Sequence, residues 1–155
     1  MGTSRRRFLS DLAAAGFLLT PIAAAVSLAG CKSSNLPEGM VEIKWDRDTC
    51  VRCSMAISDR RFAAQVKGGP KQQNFKFDDI GCVMFWLASQ SWGGDPSTRI
   101  WVVDASDQSW LDARTASYVG GKTSPMGYNF GAVRNKAAGT LDFDTVREQI
   151  LAKGK

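Results

Sequence analysis

The chain has 155 residues, with 20 lysines and arginines, 15 aspartates and glutamates, four cysteines and no histidine. This length predicts one domain or two small halves that share a core, and a hydrophobic content of 44% argues against wholesale disorder. Because histidine is absent, the composition excludes Ser-His-Asp and Cys-His nucleophiles, H-E-x-x-H zinc sites, blue-copper centres and C-x-x-C-H haem attachment. Any chemistry must use thiols, thioethers, carboxylates or the backbone.

The first thirty residues have the pattern of an export signal. Consecutive arginines at residues 5–7 precede a mostly apolar stretch, as in a twin-arginine signal. The stretch ends in Leu28-Ala29-Gly30-Cys31, which resembles the bacterial lipobox, where cleavage precedes a cysteine that becomes lipidated. The chain therefore divides into three predicted parts: a signal peptide that is removed (residues 1–30), a lipidated Cys31 with its tether (31–39) and a folded domain (40–155).

Removal of the signal leaves a mildly basic protein of 125 residues. Three arginines and one aspartate are lost with it, so 17 basic and 14 acidic side chains remain and the net charge is +3. This small and evenly spread excess does not indicate a nucleic-acid partner. We expect an exported protein that is anchored to a membrane by its lipid.

Alternating and apolar runs predict short strands in the first half of the domain. The predicted strands are residues 41–45, 61–66, 74–77 and 99–103. Gly68-Gly69-Pro70 lies between the second and the third, so these two are expected to form a hairpin. Asp79 can cap a helix from residue 80 to about residue 91, which is apolar nearly all round and therefore predicted to be buried.

The second half resembles the first in pattern. Residues 110–119 predict one strand or a strand with a bulge, and residues 128–133 predict another. Asp142 can cap a final helix whose apolar face begins at Phe143, and Gly154 is expected to end it. The sum is an α+β domain with two units, each containing strands and one helix.

Cys50-Val51-Arg52-Cys53-Ser54-Met55 is the sharpest local motif. In an extended chain Cys53 and Met55 share a face, which places a thiolate beside a thioether, and such soft ligands select Cu(I). Cys50 faces the same way only if a turn brings it round. The alternative is a structural Cys50–Cys53 disulfide with Met55 filling the core.

Two further segments offer candidate ligands or reactive groups. Pro125 and Gly127 hold Met126 in a turn, where it is either a displayed third soft ligand or a methionine that covers a hydrophobic patch. Asp78 and Asp79 are either an acid–base pair or, as we favour, a strand-end anchor and a helix cap. Cys82 follows at about the third helical position, where we expect a small buried hydrophobe in preference to a reactive thiol.

Five motifs in this order resemble the NosL family of copper-binding lipoproteins, which are needed to mature nitrous oxide reductase. They are Cys50-x-x-Cys53-x-Met55 with Ile57, Phe62-Ala63-Ala64-Gln65, Phe77-Asp78-Asp79-Ile80-Gly81-Cys82, Trp110-Leu111-Asp112-Ala113 and Ser124-Pro125-Met126-Gly127. The resemblance runs from about residue 50 to residue 133. The lipobox cysteine fits the same family.

The resemblance implies a Cu(I) metallochaperone, and not an enzyme, that is lipid-anchored on the periplasmic side of a bacterial membrane. Such a protein hands copper to a membrane-linked assembly complex, which builds the copper–sulfide centre of nitrous oxide reductase. The implied fold is two small ββαβ-like units packed together. We expect a monomer or weak dimer.

Position by position, the resemblance implies Cys53 and Met55 as copper ligands, Met126 as a third and Cys50 as a further one. Ser54 stands where many members have glycine. This departure restricts the backbone of the local turn and removes no ligand.

Two other functions stay open. A thiol–disulfide oxidoreductase would use Cys50 and Cys53, and it would need Cys50 exposed, with a lowered pKa, at a helix N-terminus. No helix is predicted after the motif, which counts against this function. A purely structural lipoprotein, stapled by a Cys50–Cys53 disulfide, would leave Met55 and Met126 without a role.

Overall fold

Residues 36–154 are described by the computed structural model, and they form an α+β fold, as the sequence predicts. The predicted signal peptide (residues 1–30) and the predicted lipidation site, Cys31, lie outside the described residues. The elements in chain order are β1 (Ala64–Gly68), β2 (Gln73–Phe77), α1 (Ile80–Ala88), β3 (Arg99–Val103), β4 (Trp110–Asp112), β5 (Ser117–Val119), β6 (Gly131–Val133) and α2 (Phe143–Ala152). Within residues 36–154, neither helix is long and apolar enough to cross a bilayer.

The first unit is a ββαβ arrangement. β1 pairs antiparallel with both β2 and β3, and β4 extends the sheet, so the strand order is β2-β1-β3-β4. The hairpin predicted around residues 68–70 is confirmed by the β1–β2 pairing. Its first strand begins at Ala64, later than predicted, because the amides of Arg61 and Phe62 are engaged by Asp59 in a turn.

Both predicted helix caps are confirmed. Asp79 has an extended backbone, and its Oδ1 accepts a hydrogen bond of 2.9 Å from the Gly81 amide at the start of α1. Asp142 accepts a 2.8 Å bond from the Thr145 amide at the start of α2. α1 ends at Ala88, earlier than predicted, because the Ser89 hydroxyl and amide both donate to the Trp86 carbonyl.

The second unit is built on a two-stranded sheet. β5 pairs antiparallel with β6, and α2 follows and packs against α1. The segment predicted as one strand or a bulged strand at residues 110–119 is two strands, because Asp112 accepts bonds from the Arg114 and Ala116 amides and turns the chain. The strand predicted at residues 128–133 is shorter, because Asn129 takes a left-handed conformation with φ 67°.

The strand predicted at residues 41–45 is wrong. These residues contain no strand, although Val41 is held at both of its backbone groups by the buried side chain of Gln65. The Val41 amide donates to Gln65 Oε1 at 2.8 Å, and Gln65 Nε2 donates to the Val41 carbonyl at 2.9 Å. A side chain from β1 thus takes the place that a neighbouring strand would have in a ladder.

Gly81 allows α1 to lie directly against Tyr128. A Cβ at this position would lie 2.1 Å from Tyr128 Cδ2, which is closer than two such atoms can approach. The Tyr128 side chain is itself fully buried. The absence of a side chain at Gly81 therefore sets how closely the segment before β6 approaches the start of α1.

We expect Gly81→Ala to lower the free energy of unfolding by about 1–3 kcal/mol, because the Tyr128 ring must shift within a packed core. The measurement is urea unfolding followed by circular dichroism. Gly94→Ala is the matched control, because no atom lies within 4 Å of its Cβ position, and it should be neutral or mildly stabilising. Equal effects of the two substitutions would contradict the close approach.

Candidate metal centre

Residues 46–57 form a tight arch that carries Cys50 and Cys53. The arch is closed by hydrogen bonds between its two sides, from the Ile57 amide to the Asp48 carbonyl at 2.9 Å and from the Cys50 amide to the Met55 carbonyl at 2.8 Å. Ile57, at the end of the arch, is fully buried and anchors the arch in the core. The Val51 amide donates to the carbonyl of Lys76 at 3.0 Å, which fixes the arch to β2.

A turn within the arch brings Cys50 round to Cys53. The Ser54 amide donates to the Cys50 carbonyl at 2.9 Å, and Ser54 has a left-handed backbone with φ 62°. The segment from Cys53 to Met55 is therefore not the extended chain from which a shared face for Cys53 and Met55 was expected. The left-handed conformation accounts for the glycine that the resemblance associates with this position, because glycine adopts it without steric cost.

Three thiols and one carboxylate converge at the arch. The sulfur atoms of Cys50, Cys53 and Cys82 and a carboxylate oxygen of Asp78 all lie within 4.8 Å of one another, and we call these four residues the sulfur cluster. Cys53 Sγ lies 3.4 Å from Asp78 Oδ2. All three cysteines of the described residues are free thiols. This donor set can hold a metal ion.

The thiols of the sulfur cluster differ in their electrostatics. A hydrogen bond from Cys82 lowers the pKa of Cys50 to about 6. Burial raises the pKa of Cys53 to about 11. The hydrogen bond to Cys50 raises the pKa of the Cys82 thiol. Cys50 is therefore the thiol of the cluster that loses its proton most easily, because a neighbouring thiol donates to its sulfur.

Arg52 closes the cluster from the direction of α1. Its guanidinium stacks 4.7 Å from the centre of the Phe85 ring and donates to Tyr128 Oη at 3.0 Å. The same group lies 3.9 Å from Cys82 Sγ. A fixed cation beside the sulfur atoms stabilises the thiolate charge that a bound metal requires.

The two predicted methionine ligands lie in different surroundings. Met55 is 50% exposed and belongs to the same arch as Cys50 and Cys53. Met126 is half-buried and packs against the hydrophobic core, in a turn closed by a 3.0 Å bond from the Gly127 amide to the Ser124 carbonyl. Its amide also donates to Asp79 Oδ2 at 3.3 Å. The turn predicted around Met126 is confirmed, while its role as a ligand stays a prediction.

Asp78 and Cys82 join the cluster, which the sequence did not predict, although Cys82 is fully buried as expected. Asp78 was expected to anchor a strand end, and Cys82 to be a small buried hydrophobe. The sequence signal that could have indicated this role is their position in one motif with Asp79, at the junction of β2 and α1. Which loop faces that junction depends on contacts between the arch and β2, which are distant in sequence.

We expect Ser54→Gly to leave the free energy of unfolding unchanged or to raise it by up to about 1 kcal/mol. Relief of the left-handed strain, about 1–2 kcal/mol, is offset by the greater freedom of glycine in the unfolded chain, about 0.4–1 kcal/mol. Ser58→Gly is the matched control, an exposed serine without a positive φ, and it should only destabilise. Thermal unfolding of both variants distinguishes them, and equal losses would refute the strain at Ser54.

Comparisons with known proteins identify the family and the fold of the chain. The family model NosL matches residues 41–142 of the chain. The crystal structure of the copper chaperone NosL from Shewanella denitrificans superposes with a TM-score of 0.50 at 20% identity, over 73% of this chain and 89% of that one. This likeness is one of fold. No curated protein matches the chain. The family match spans most of the described domain, and the chain is a member of the NosL family.

Proposed function

We propose that this protein binds Cu(I) and delivers it for assembly of the copper–sulfide centre of nitrous oxide reductase. The observation that carries the proposal is the sulfur cluster, three free thiols within 4.8 Å of one another and of a carboxylate in a chain without histidine. The NosL fold, shared with a copper chaperone, supports it. Delivery would occur at the periplasmic side of a membrane, with the protein held there through a lipid on Cys31.

The donor set favours Cu(I) over the other common metals. Thiolates and thioethers are soft ligands, whereas Mg²⁺ and Ca²⁺ prefer oxygen and Cu(II) prefers imidazole. Cys53 and Met55 are the proposed principal ligands, with Met126 as a third and Cys50 as a further one. The Cys53 thiol loses its proton on binding, and Asp78 lies at hydrogen-bond distance from that sulfur.

Transfer would proceed by ligand exchange. Met55 is half-exposed, so a sulfur atom of a partner can approach the metal from this side before the bonds to the cysteine sulfur atoms break. Two or three soft ligands hold the ion tightly and leave a coordination position for the incoming one. The proposed receiver is a membrane-linked assembly complex, and the protein acts as a monomer or weak dimer.

The oxidoreductase alternative receives less support. A lowered Cys50 pKa suits an attacking thiol. However, Cys50 is only 1% exposed, and the residues that follow the motif form no helix, which an oxidoreductase would have there. A buried thiol cannot reach the disulfide of a substrate protein.

We expect the full-length protein, purified anaerobically in mild detergent, to retain one Cu(I) against a chromophoric Cu(I) chelator. Cys53→Ser should weaken binding by more than the roughly 10–100-fold typical of residues that only support a ligand, because it removes an anionic ligand. Met55→Leu and Met126→Leu should weaken it less, since each removes a neutral thioether. Competition titrations give these affinities.

Met84→Leu is the matched control for the methionine variants. Met84 is buried on α1 and is not a proposed ligand, so the Met84→Leu protein should bind copper with wild-type affinity. The proposal is refuted if the chelator strips the wild-type protein completely. It is refuted equally if Cys53→Ser and Met84→Leu bind alike.

Delivery has a separate expected outcome in cells. In a denitrifying bacterium that lacks its own NosL protein, wild type should restore nitrous oxide reduction, and Cys53→Ser should not, because the copper–sulfide centre stays unfilled. Nitrous oxide consumption and the copper content of purified reductase measure this. Met84→Leu should restore both. Full restoration by Cys53→Ser would contradict delivery through this site.

A further inference from the structure

The adjacent carboxylates of Asp78 and Asp79 reach into two different parts of the proposed copper site. Both side chains are buried, at 2% and 0% exposure. Asp78 accepts from the Cys53 thiol at 3.4 Å. Asp79 Oδ2 accepts from the Ser124 hydroxyl at 2.6 Å and from the Met126 amide at 3.3 Å. One dipeptide thus contacts the arch and the loop that carries Met126.

Asp79 does more than a helix cap requires. Its Oδ1 alone satisfies the start of α1, through the Gly81 amide. Asp142 performs the same task for α2 through the Thr145 amide while it is exposed to solvent. Burial of a carboxylate is costly unless it is hydrogen-bonded. The second oxygen of Asp79 accepts hydrogen bonds from the Met126 loop, which compensate for its burial. Burial still raises the pKa of Asp79.

Ser124 connects Asp79 to the rest of the loop that carries Met126. Its hydroxyl donates to Asp79 and accepts from the Asn129 amide at 2.9 Å. The Ser124 amide donates to Asn129 Oδ1 at 3.3 Å, and its carbonyl accepts from the Gly127 amide. Residues 124–129 therefore form a closed loop whose position relative to α1 is set at Ser124 and at the amide of Met126.

We infer that Asp79 is a positioning residue that sets the Met126 thioether relative to the Cys53 thiol. The inference rests on the proposed function. The neighbouring residue, Asp78, accepts a hydrogen bond from Cys53. The distance between the Cys53 and Met126 sulfur atoms is therefore set before copper binds. A ligand held in place loses less conformational entropy on binding, and support of this kind typically contributes about 10–100-fold in metal affinity.

The test uses two variants and a matched control in the full-length protein, with Cu(I) as the probe. Ser124→Ala removes the hydroxyl and leaves the cap of α1 intact, whereas Asp79→Asn changes the acceptor itself. Asp142→Asn makes the same change at the cap of α2, remote in sequence from every proposed ligand. Affinity is measured by chelator competition, and the ε-methyl resonances of methyl-labelled Met55 and Met126 report which thioethers bind.

In the wild type both methyl resonances should shift with Cu(I). In Ser124→Ala the affinity should fall by about 10–100-fold, and the Met126 shift should disappear while the Met55 shift remains. Asp79→Asn should behave in the same way wherever circular dichroism shows that it is folded. Asp142→Asn should keep both shifts and the affinity of the wild type, because asparagine caps a helix about as well as aspartate.

Three results would overturn the inference. If Ser124→Ala keeps the wild-type affinity and the Met126 shift, Asp79 is only a cap and the proposed function still stands. If wild type binds copper without a Met126 shift, the positioning role falls and a chaperone with other ligands remains. If wild type retains no copper at all, the proposed function falls and this inference falls with it.

Discussion

The buried junction between β2 and α1 is the constraint on which the rest of the site depends. Two carboxylates are buried there, and each accepts a hydrogen bond from a segment that is distant in sequence. The Cys53 thiol on the arch donates to Asp78, and the amide of Met126 donates to Asp79. Because an unpaired buried carboxylate is costly, this junction favours the packing that brings both segments to α1.

The absence of histidine gives the site its chemical character. Sulfur atoms provide most of the donors of the cluster, and Asp78 provides the only carboxylate oxygen there. Arg52 stands beside Cys82 and is itself held by Phe85 and Tyr128. A fixed cation beside the sulfur atoms offsets the negative charge of a thiolate formed there.

Features that depend on nearby residues were predictable from the sequence. Asp79 and Asp142 begin the two helices because an aspartate at this position satisfies amides two or three residues ahead. The β1–β2 hairpin follows from its glycines and proline in the same local way. The error at residues 41–45 has a distant cause, since the Gln65 side chain on β1 occupies the backbone groups that a strand would use.

The kinds of donor, the α+β class and the family resemblance could be predicted before the structure, because they depend on residue types and short spacings. Which donors meet depends on the packing of the folded chain. Cys82 joins Cys50 and Cys53 because the arch is bonded to β2 and α1 starts from the end of that strand. Such contacts join residues far apart in the chain, and they depend on packing that no local pattern encodes.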